Sequence, residues 1–544
     1  MLTMVFTASS VILFLFNRFS HPALPAYIVA GVVVGNFFPA EEMISFTRIG
    51  LSFLVFVFGV KMDPERLRTV AGDGLRTALI QITSVSALSL GLSLLLGLNG
   101  FESLVFVLVT ALSSTLVGLD LLEKEVDLRL AHGRLAESLH LSQDLIAVVS
   151  LMLLGASSYT LEAVSVSLAH GFGLLALALL FRKYLLGYMA GVTENSRELL
   201  MLVSITVLIG FLSLTEYFRI SLAIGSFSAG LAVSKYPHNM EILDTTGSLK
   251  DFFSAVFFVS LGALLSLPSP RVLVLSGLML LLTVLMKPFA VITSLVALGQ
   301  NKRTAYLTGF SIDQVSEFAL IITIQAYLSN LIGDAVFQAT IITATVSMMI
   351  SSYTAKHGNR IYNLLSPYDH IPSFPQKISE KLRQERPSDH VIVLGYDTQG
   401  ERIVQKLKDE NEDFVVIDND PEKITDLEEK EENFVYGDVL DHETWENAGY
   451  RKAELIISTA PITKVSDTVL ELETDADTIL RAEDVKEAQR LMDKGATYVS
   501  VPEILSSELL TDHIEGIMEN RSYREDLRRK SMLELRRFIQ DTEG

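Results

Sequence analysis

The sequence has 544 residues, of which 49% are apolar and 20% are charged, and its formal net charge is −20. This apolar content is atypical of a soluble enzyme, and the charge content is too high for a protein embedded wholly in a bilayer. Cysteine is absent, which excludes disulfides and thiolate-ligated metals. Residues 381–544 hold 22 Lys and Arg against 40 Asp and Glu. We therefore predict a membrane part followed by an acidic soluble part, whose charge argues against a nucleic-acid partner.

Apolar runs long enough to cross a bilayer recur up to about residue 355. Lys and Arg concentrate in the odd-numbered loops and after the last run, whereas the even-numbered loops hold only Arg48, Arg219 and Arg271. The basic side is the cytoplasmic side, so we expect a plasma-membrane protein with its N-terminus outside and its acidic part in the cytoplasm. The thirteen predicted transmembrane helices cover residues 2–16, 23–38, 47–60, 77–97, 102–120, 135–156, 161–181, 198–214, 219–234, 250–266, 272–298, 304–328 and 335–355.

The sixth run carries Asp144 near its middle, directly after Gln143. An ionisable side chain at that depth is energetically expensive, which makes Asp144 a candidate functional residue. One interpretation is a structural acid paired with a buried cation. The other is a carboxylate that alternately binds a proton and a metal cation. We favour the second, because small residues or hydroxyls could tie helices together at lower cost.

Polar residues interrupt two other runs: Ser113-Ser114-Thr115 in the fifth, and the segment from Asp313 to Glu317 in the twelfth. These positions are seven helices apart, as expected if helices 1–6 and 8–13 form two repeats of opposite topology. Broken helices at corresponding positions of two repeats indicate the ion site of a transporter, where freed carbonyls can face a cation. The alternative is that the hydroxyls merely bond back to their own helices.

Lys287 lies deep in the eleventh run, beside Pro288, which we expect to kink the helix. Its expected partner is Asp144 or another buried carboxylate, either as a permanent pair or as an ammonium that a metal ion displaces. Asp313 and Glu317 are four residues apart and would share a helix face. They could widen the cation path, cap the broken helix or pair with Lys287. We expect Glu317 to be structural and leave the role of Asp313 open.

The soluble part follows a polar linker predicted at residues 357–388. Short β-branched runs then alternate with helical stretches, and the first turn is rich in glycine, which predicts a doubly wound, Rossmann-like α/β sheet. The predicted strands cover residues 391–394, 414–418, 433–436, 455–459, 478–480 and 498–500.

The turn from Gly395 to Gly400 should present backbone N–H groups at a helix N-terminus to a phosphate. Asp418 is placed for ribose hydroxyls, and Asp438 for adenine or the second hydroxyl. Asp397, however, stands at the position of the middle glycine in a G-x-G-x-x-G fingerprint. Its side chain would crowd a bound phosphate there, and its negative charge would repel that phosphate. A nucleotide-like fold that binds nothing is therefore the alternative.

An ordered series of motifs in residues 1–355 resembles the monovalent cation:proton antiporter-2 superfamily, which includes the Kef potassium efflux systems. The resemblance implies inverted repeats with two crossed, partly unwound helices, and homodimers that work by elevator-like alternating access. The motifs are Gly31–Gly35, Phe56–Val60, Ser113–Thr115, Gln143-Asp144, Gly225–Gly230, Phe257–Gly262, Lys287 and Gln314–Phe318.

By this resemblance Asp144 matches the ion-binding aspartate, Thr115 the unwound crossing and Lys287 the lysine opposite the aspartate. Gln143 before Asp144 resembles the potassium-handling branch, which implies electroneutral one-for-one exchange. The sequence departs from Kef proteins at 219–224, where their acidic segment is absent, so we do not expect glutathione gating.

The order of Gly395, Gly400, Asp418, Asp438 and Val501-Pro502-Glu503 resembles the RCK, or TrkA N-lobe, regulatory domain. This resemblance covers about 389–510 and implies dimerisation and a regulatory ligand, NAD(H) or an adenine nucleotide (AMP, ADP or ATP), without a tightly bound cofactor. Residues 511–544 are predicted to form a charged C-terminal helix.

These patterns predict a membrane domain at 1–356 that exchanges K⁺ or Na⁺ for H⁺ under nucleotide control, in a protein that is not an enzyme. An RCK-regulated potassium channel is the alternative. A channel would need a carbonyl-lined filter such as Thr-Val-Gly-Tyr-Gly, and the sequence contains no such segment. A membrane-tethered oxidoreductase would need an intact dinucleotide fingerprint and a following catalytic group, which Asp397 and the short C-terminal part disfavour.

Overall fold

The structure is a computed structural model with two compact units, Met1–Phe374 and Pro375–Gly544, which are described one at a time. Part of the predicted C-terminal charged helix lies outside the described residues. So do residues 219–220, which belong to the segment where the sequence departs from Kef proteins. The structure describes the whole chain except residues 1, 20, 63–72, 116, 119–129, 154–160, 194–196, 219–220, 235–237, 367–376, 385–386, 520–522, 525–526 and 533–544.

The first unit is helical, and each predicted apolar run coincides with one helix or with two consecutive helices. Within the described residues, six helices are long and apolar enough to cross a membrane, and shorter apolar helices accompany them. Thirteen crossings therefore stay a prediction. Over the described residues the first ten helices are α1 Leu2–Asn17, α2 Ala23–Val34, α3 Ala40–Lys61, α4 Asp73–Leu95, α5 Gly100–Ala111, α6 Ala131–Leu153, α7 Leu161–Thr193, α8 Arg197–Phe218, α9 Leu222–Val233 and α10 His238–Ala263. The remaining ones are α11 Pro270–Leu281, α12 Lys287–Ala297, α13 Lys302–Phe310, α14 Glu317–Leu328 and α15 Asp334–Leu365.

Three breaks in these helices prepare the site. Helix α5 ends at Ala111 and is followed by the non-helical residues 112–114, and residues 311–316 separate α13 from α14. A five-residue π segment, Leu282–Met286, joins α11 to α12. Proline at the second position of α12 has no N–H to donate, which fits a widened turn just before it.

Two groups of helices can be distinguished by their packing. Helix α10 packs against α2 and α3, and α9 packs against α3. Their backbones nearly touch, because a Cβ on Gly31 would lie 2.1 Å from the carbonyl oxygen of Val259, and one on Gly230 would lie 2.0 Å from that of Phe56. Small residues of this kind let membrane helices approach closely. Helices α4, α5, α6 and α11 to α15 form the other group, which contains both interruptions.

The second unit is a six-stranded sheet of order β3-β2-β1-β4-β5-β6, in which every strand pair is parallel. The doubly wound sheet is as predicted, and its strand order reverses between β1 and β4. The strands are β1 His390–Leu394, β2 Phe414–Asp418, β3 Phe434–Tyr436, β4 Ala453–Ser458, β5 Asp477–Arg481 and β6 Tyr498–Ser500. The helices are α16 Glu380–Gln384, α17 Thr398–Glu410, α18 Pro421–Glu429, α19 His442–Ala448, α20 Thr463–Leu470, α21 Val485–Asp493 and α22 Pro502–Glu519.

The segment predicted as linker 357–388 is shorter in the structure. Helix α15 continues to Leu365, and Ile378 forms an antiparallel bridge with Val435 beside the edge strand β3. Polar composition alone does not fix the backbone conformation, so residues at both ends of this segment can join regular structure. Helix α22 likewise crosses the predicted boundary between 510 and 511.

Candidate functional site

The candidate ion site is centred on Asp144 of α6. The hydroxyl of Thr115 lies 2.9 Å from both carboxylate oxygens of Asp144 and donates to them. Both side chains are partly exposed, whereas most of the surrounding polar residues are buried. The interruption after α5 therefore positions a partly exposed carboxylate.

Gln143 has a structural role that the sequence did not indicate. Its amide oxygen accepts a hydrogen bond from the backbone N–H of Ser113 at 2.7 Å, and its amide nitrogen donates to the side chain of Gln81 at 2.8 Å. Gln81 in turn donates to the carbonyl of Ala111 at 3.0 Å. The two amides thus satisfy backbone groups that the end of α5 leaves unpaired. Sequence reasoning missed Gln81, although an uncharged amide within the fourth apolar run was a signal.

The two interruptions, far apart in sequence, lie in contact. The hydroxyl of Ser113 donates to the carbonyl of Ile312 at 2.8 Å, and the side-chain amide of Gln314 donates to the carbonyl of Ser114 at 3.0 Å. The hydroxyl of Ser114 donates to the carboxylate of Glu317. Serine hydroxyls therefore bond from one interruption to the other, which excludes the alternative that all of them serve their own helices.

Lys287 does not pair with a carboxylate, which corrects the sequence-based expectation. Its ammonium is fully buried and donates to the carbonyl oxygens of Leu112 at 3.0 Å and Gln314 at 2.7 Å. In the part of the chain that the structure describes, no carboxylate lies within ion-pair distance of it. The interruptions free these carbonyls near the negative ends of α5 and α13, where a cation is favoured. Lys287 therefore joins the two interruptions.

Asp313 and Glu317 do not share a helix face, contrary to the prediction from their spacing. Residues 311–316 are not helical, so the helical period does not apply, and Glu317 is the first residue of α14. Asp313 is buried, and one of its oxygens accepts a hydrogen bond from Thr354 at 2.6 Å. Its other oxygen has no hydrogen-bond partner within the described residues.

The predicted nucleotide residues gather at the carboxyl edge of the sheet. Gly395 has a φ of +90°, and a Cβ on Gly400 would lie 2.0 Å from the carbonyl oxygen of Gly395, so both positions require glycine. Asp418 accepts a hydrogen bond from the backbone N–H of Tyr396 at 2.6 Å. Asp438 is buried after β3 and accepts one from the N–H of Leu440 at 2.9 Å.

Asp397 caps α17. Its Oδ1 accepts hydrogen bonds from the backbone N–H groups of Gln399 at 3.0 Å and Gly400 at 2.8 Å. The turn therefore has the glycines of a nucleotide-binding turn, but its own carboxylate occupies the helix N-terminus.

Lys430 lies beside Tyr396, near this turn. Burial lowers the pKa of Lys430, but hydrogen bonds to Asp426 and Glu401 raise this pKa by more, so Lys430 stays charged.

Two interrupted helices that meet beside a partly exposed carboxylate are the arrangement expected at the ion site of a secondary transporter. A match over residues 5–357 to the family described as "Sodium/hydrogen exchanger, transmembrane" shows that the chain belongs to that family and is a membrane protein. Residues 391–502 match the TrkA-N domain. The resemblance to the cation:proton antiporter-2 superfamily with a C-terminal TrkA-N domain is thereby confirmed.

Similar proteins extend over both units. The glutathione-regulated potassium-efflux system protein KefC of Enterobacter sp. (strain 638) is 27% identical over 507 residues, which cover 88% of this chain and 78% of that protein. KefC of Escherichia coli (strain K12) is 26% identical over 500 residues, which cover 86% of this chain and 77% of that protein. The crystal structure of the TrkA-N domain of the Escherichia coli inner membrane protein ybaL matches 24% of this chain and 98% of that chain, at 21% identity and a TM-score of 0.22.

Proposed function

We propose that the chain is a secondary active antiporter that exchanges K⁺ or Na⁺ for H⁺ across the plasma membrane. The observation that carries this proposal is the partly exposed Asp144 carboxylate, held through both oxygens by Thr115 at a helix interruption. Membership of the sodium/hydrogen exchanger family and similarity to potassium-efflux proteins support it.

Exchange follows from competition for one carboxylate. A proton or a monovalent cation neutralises Asp144, with the Thr115 hydroxyl as a neighbouring oxygen that can also contact the cation. The neutral site crosses between the two sides of the membrane more readily than the charged one, which couples the two ions one for one and makes exchange electroneutral. Lys287 holds the interruptions together instead of competing with the cation. Gln143 accepts the N–H of Ser113, and the hydroxyl of Ser114 accepts the N–H of Val117 at 3.0 Å, which fixes the backbone on either side of Thr115.

The architecture in the membrane is part of the proposal. If thirteen transmembrane helices contain helices 1–6 and 8–13 as inverted repeats, α2 corresponds to α9 and α3 corresponds to α10. The close contact of α2 with α10 at Gly31 then corresponds to the close contact of α9 with α3 at Gly230, which supports the repeats. Loop charges favour an N-terminus outside and a TrkA-N domain in the cytoplasm.

We further propose a homodimer whose TrkA-N domains bind NAD(H) or an adenine nucleotide as a regulator. Helix α22 supports dimerisation, because its large apolar side chains Leu505, Leu509 and Met518 are exposed. The turn at Gly395 and the ribose-facing position of Asp418 support the nucleotide. The bilayer contacts the exposed apolar side chains of the first unit.

Proteoliposomes loaded with a pH-sensitive dye test the antiport. K⁺ and Na⁺ are added in turn to the wild type, to Asp144→Asn and to the control Asp313→Asn, a buried aspartate at the other interruption. We expect the wild type and the control to dissipate a pH gradient and Asp144→Asn to be inactive. The apparent cation affinity of the wild type should fall as the pH is lowered, because protons compete for Asp144. Cation-driven proton movement by Asp144→Asn would contradict the proposal.

A further inference from the structure

The turn between β1 and α17 has the shape of a phosphate-binding turn. Gly395 adopts a left-handed φ of +90°, and Gly400 packs so closely on Gly395 that only glycine fits. The turn opens at the carboxyl edge of the sheet, beside the point where strand order reverses, which is where ligands of such sheets bind. In this fold a pyrophosphate normally lies on the N–H groups at the start of the first helix.

Those N–H groups are already engaged. Asp397 accepts both the N–H of Gln399 and that of Gly400 through Oδ1, at 3.0 and 2.8 Å. The carboxylate therefore supplies the negative charge and the acceptor oxygen that a ligand phosphate would bring. A dinucleotide would have to displace this cap, and its pyrophosphate would lie beside a like charge.

The ribose side of the crevice is not blocked by the Asp397 carboxylate. Asp418 accepts hydrogen bonds from the N–H of Tyr396 at 2.6 Å and from that of Asp420 at 2.8 Å. Asp418 ends β2, and a carboxylate at this place in a doubly wound sheet is the group that binds ribose hydroxyls. A cation also lies on this edge. Arg481, at the end of β5, donates to the carbonyl of Thr459 at 3.2 Å and to the side-chain oxygen of Gln399 in the first turn of α17 at 3.5 Å.

We propose that Asp397 is an internal substitute for a ligand phosphate and determines the specificity of the crevice. The crevice takes a ribonucleoside with at most one phosphate, its ribose on Asp418 and its phosphate directed toward Arg481, and it excludes dinucleotides such as NAD(H). This inference rests on the proposed nucleotide regulation and narrows its ligand.

Binding of adenosine, AMP and NADH to the full-length protein in detergent tests the inference, by calorimetric titration. The variant Asp397→Gly removes the carboxylate and completes the glycine fingerprint. The matched control is Asp484→Gly, because Asp484 caps α21 by accepting the N–H of Glu487 at 2.8 Å, outside the turn. Glycine replaces such caps at little cost in stability, so both variants should fold.

We expect the wild type and Asp484→Gly to bind adenosine or AMP and to bind NADH weakly. Asp397→Gly should bind NADH at least about tenfold more tightly, because a like charge is removed, and adenosine within about twofold of the wild type. The inference is overturned if the wild type binds NADH as tightly as Asp397→Gly does. It is also overturned if none of the three ligands binds either protein, since the crevice is then not a nucleoside site. No transport is measured, so a failure of the antiport proposal would not alter these results.

Discussion

Replacement of Lys287 by methionine tests whether this lysine joins the interruptions or competes at the ion site. Methionine keeps an unbranched apolar stem one atom shorter than lysine but removes both hydrogen bonds, to the carbonyls of Leu112 and Gln314. A hydrogen bond to a charged group contributes about 1.5–3 kcal/mol, so the two together contribute about 3–6 kcal/mol. The membrane unit of Lys287→Met should therefore unfold at a clearly lower temperature than that of the wild type.

The assay is thermal unfolding of the purified full-length protein in detergent, followed by far-ultraviolet circular dichroism, which is dominated by the helices of the membrane unit. The control is Lys356→Met, an exposed lysine on α15. It should melt like the wild type. Lys287→Gln, which retains a shorter donor, should lie between the wild type and Lys287→Met.

Transport separates the two interpretations. Because Lys287 contacts carbonyls and not Asp144, the folded fraction of Lys287→Met should keep an apparent cation affinity within about threefold of the wild type, a difference below 1 kcal/mol. If Lys287→Met melts like the wild type but changes the apparent cation affinity by more than about tenfold, the lysine acts on the ion and our reasoning is refuted.

Three further predictions concern other contacts. Gln81→Leu should destabilise the membrane unit by about 1–3 kcal/mol, because it leaves the carbonyl of Ala111 and the side-chain amide of Gln143 without their partner. A double-mutant cycle with Gln143→Leu should be non-additive, and additive effects would contradict the hydrogen-bonded pair of amides. Asp313→Asn should retain exchange in proteoliposomes, because Asp144 loads the ions; loss of exchange in a folded variant would assign Asp313 to the ion path.

Asp467→Asn should destabilise the soluble unit by about 1 kcal/mol at neutral pH. Burial raises the pKa of Asp467, but hydrogen bonds from Lys494 and Arg490 lower it by more, to below its usual range. The stabilisation is therefore present at neutral pH and should disappear as the pH falls through that lowered pKa. Denaturant unfolding followed by fluorescence of Trp445, the sole tryptophan of the chain, measures it; an equal difference in acid would contradict the assignment.

Sequence alone predicted the two-unit organisation, the helix at each apolar run, the two interruptions and the parallel doubly wound sheet. These features follow from composition and from short-range periodicity, which the chain carries locally. The sequence also singled out Asp144, because a carboxylate within an apolar run is conspicuous without any knowledge of its neighbours.

Tertiary structure alone decided which groups meet. The contacts of Ser113 with Ile312 and of Lys287 with Leu112 join residues more than 170 positions apart, and no local pattern records such pairs. The helical spacing of Asp313 and Glu317 misled because unwound backbone has no helical period. Gln143 looked like part of the ion site because it precedes Asp144, yet adjacent residues on a helix point in different directions, and only the fold could direct Gln143 to Gln81 and Asp144 to Thr115.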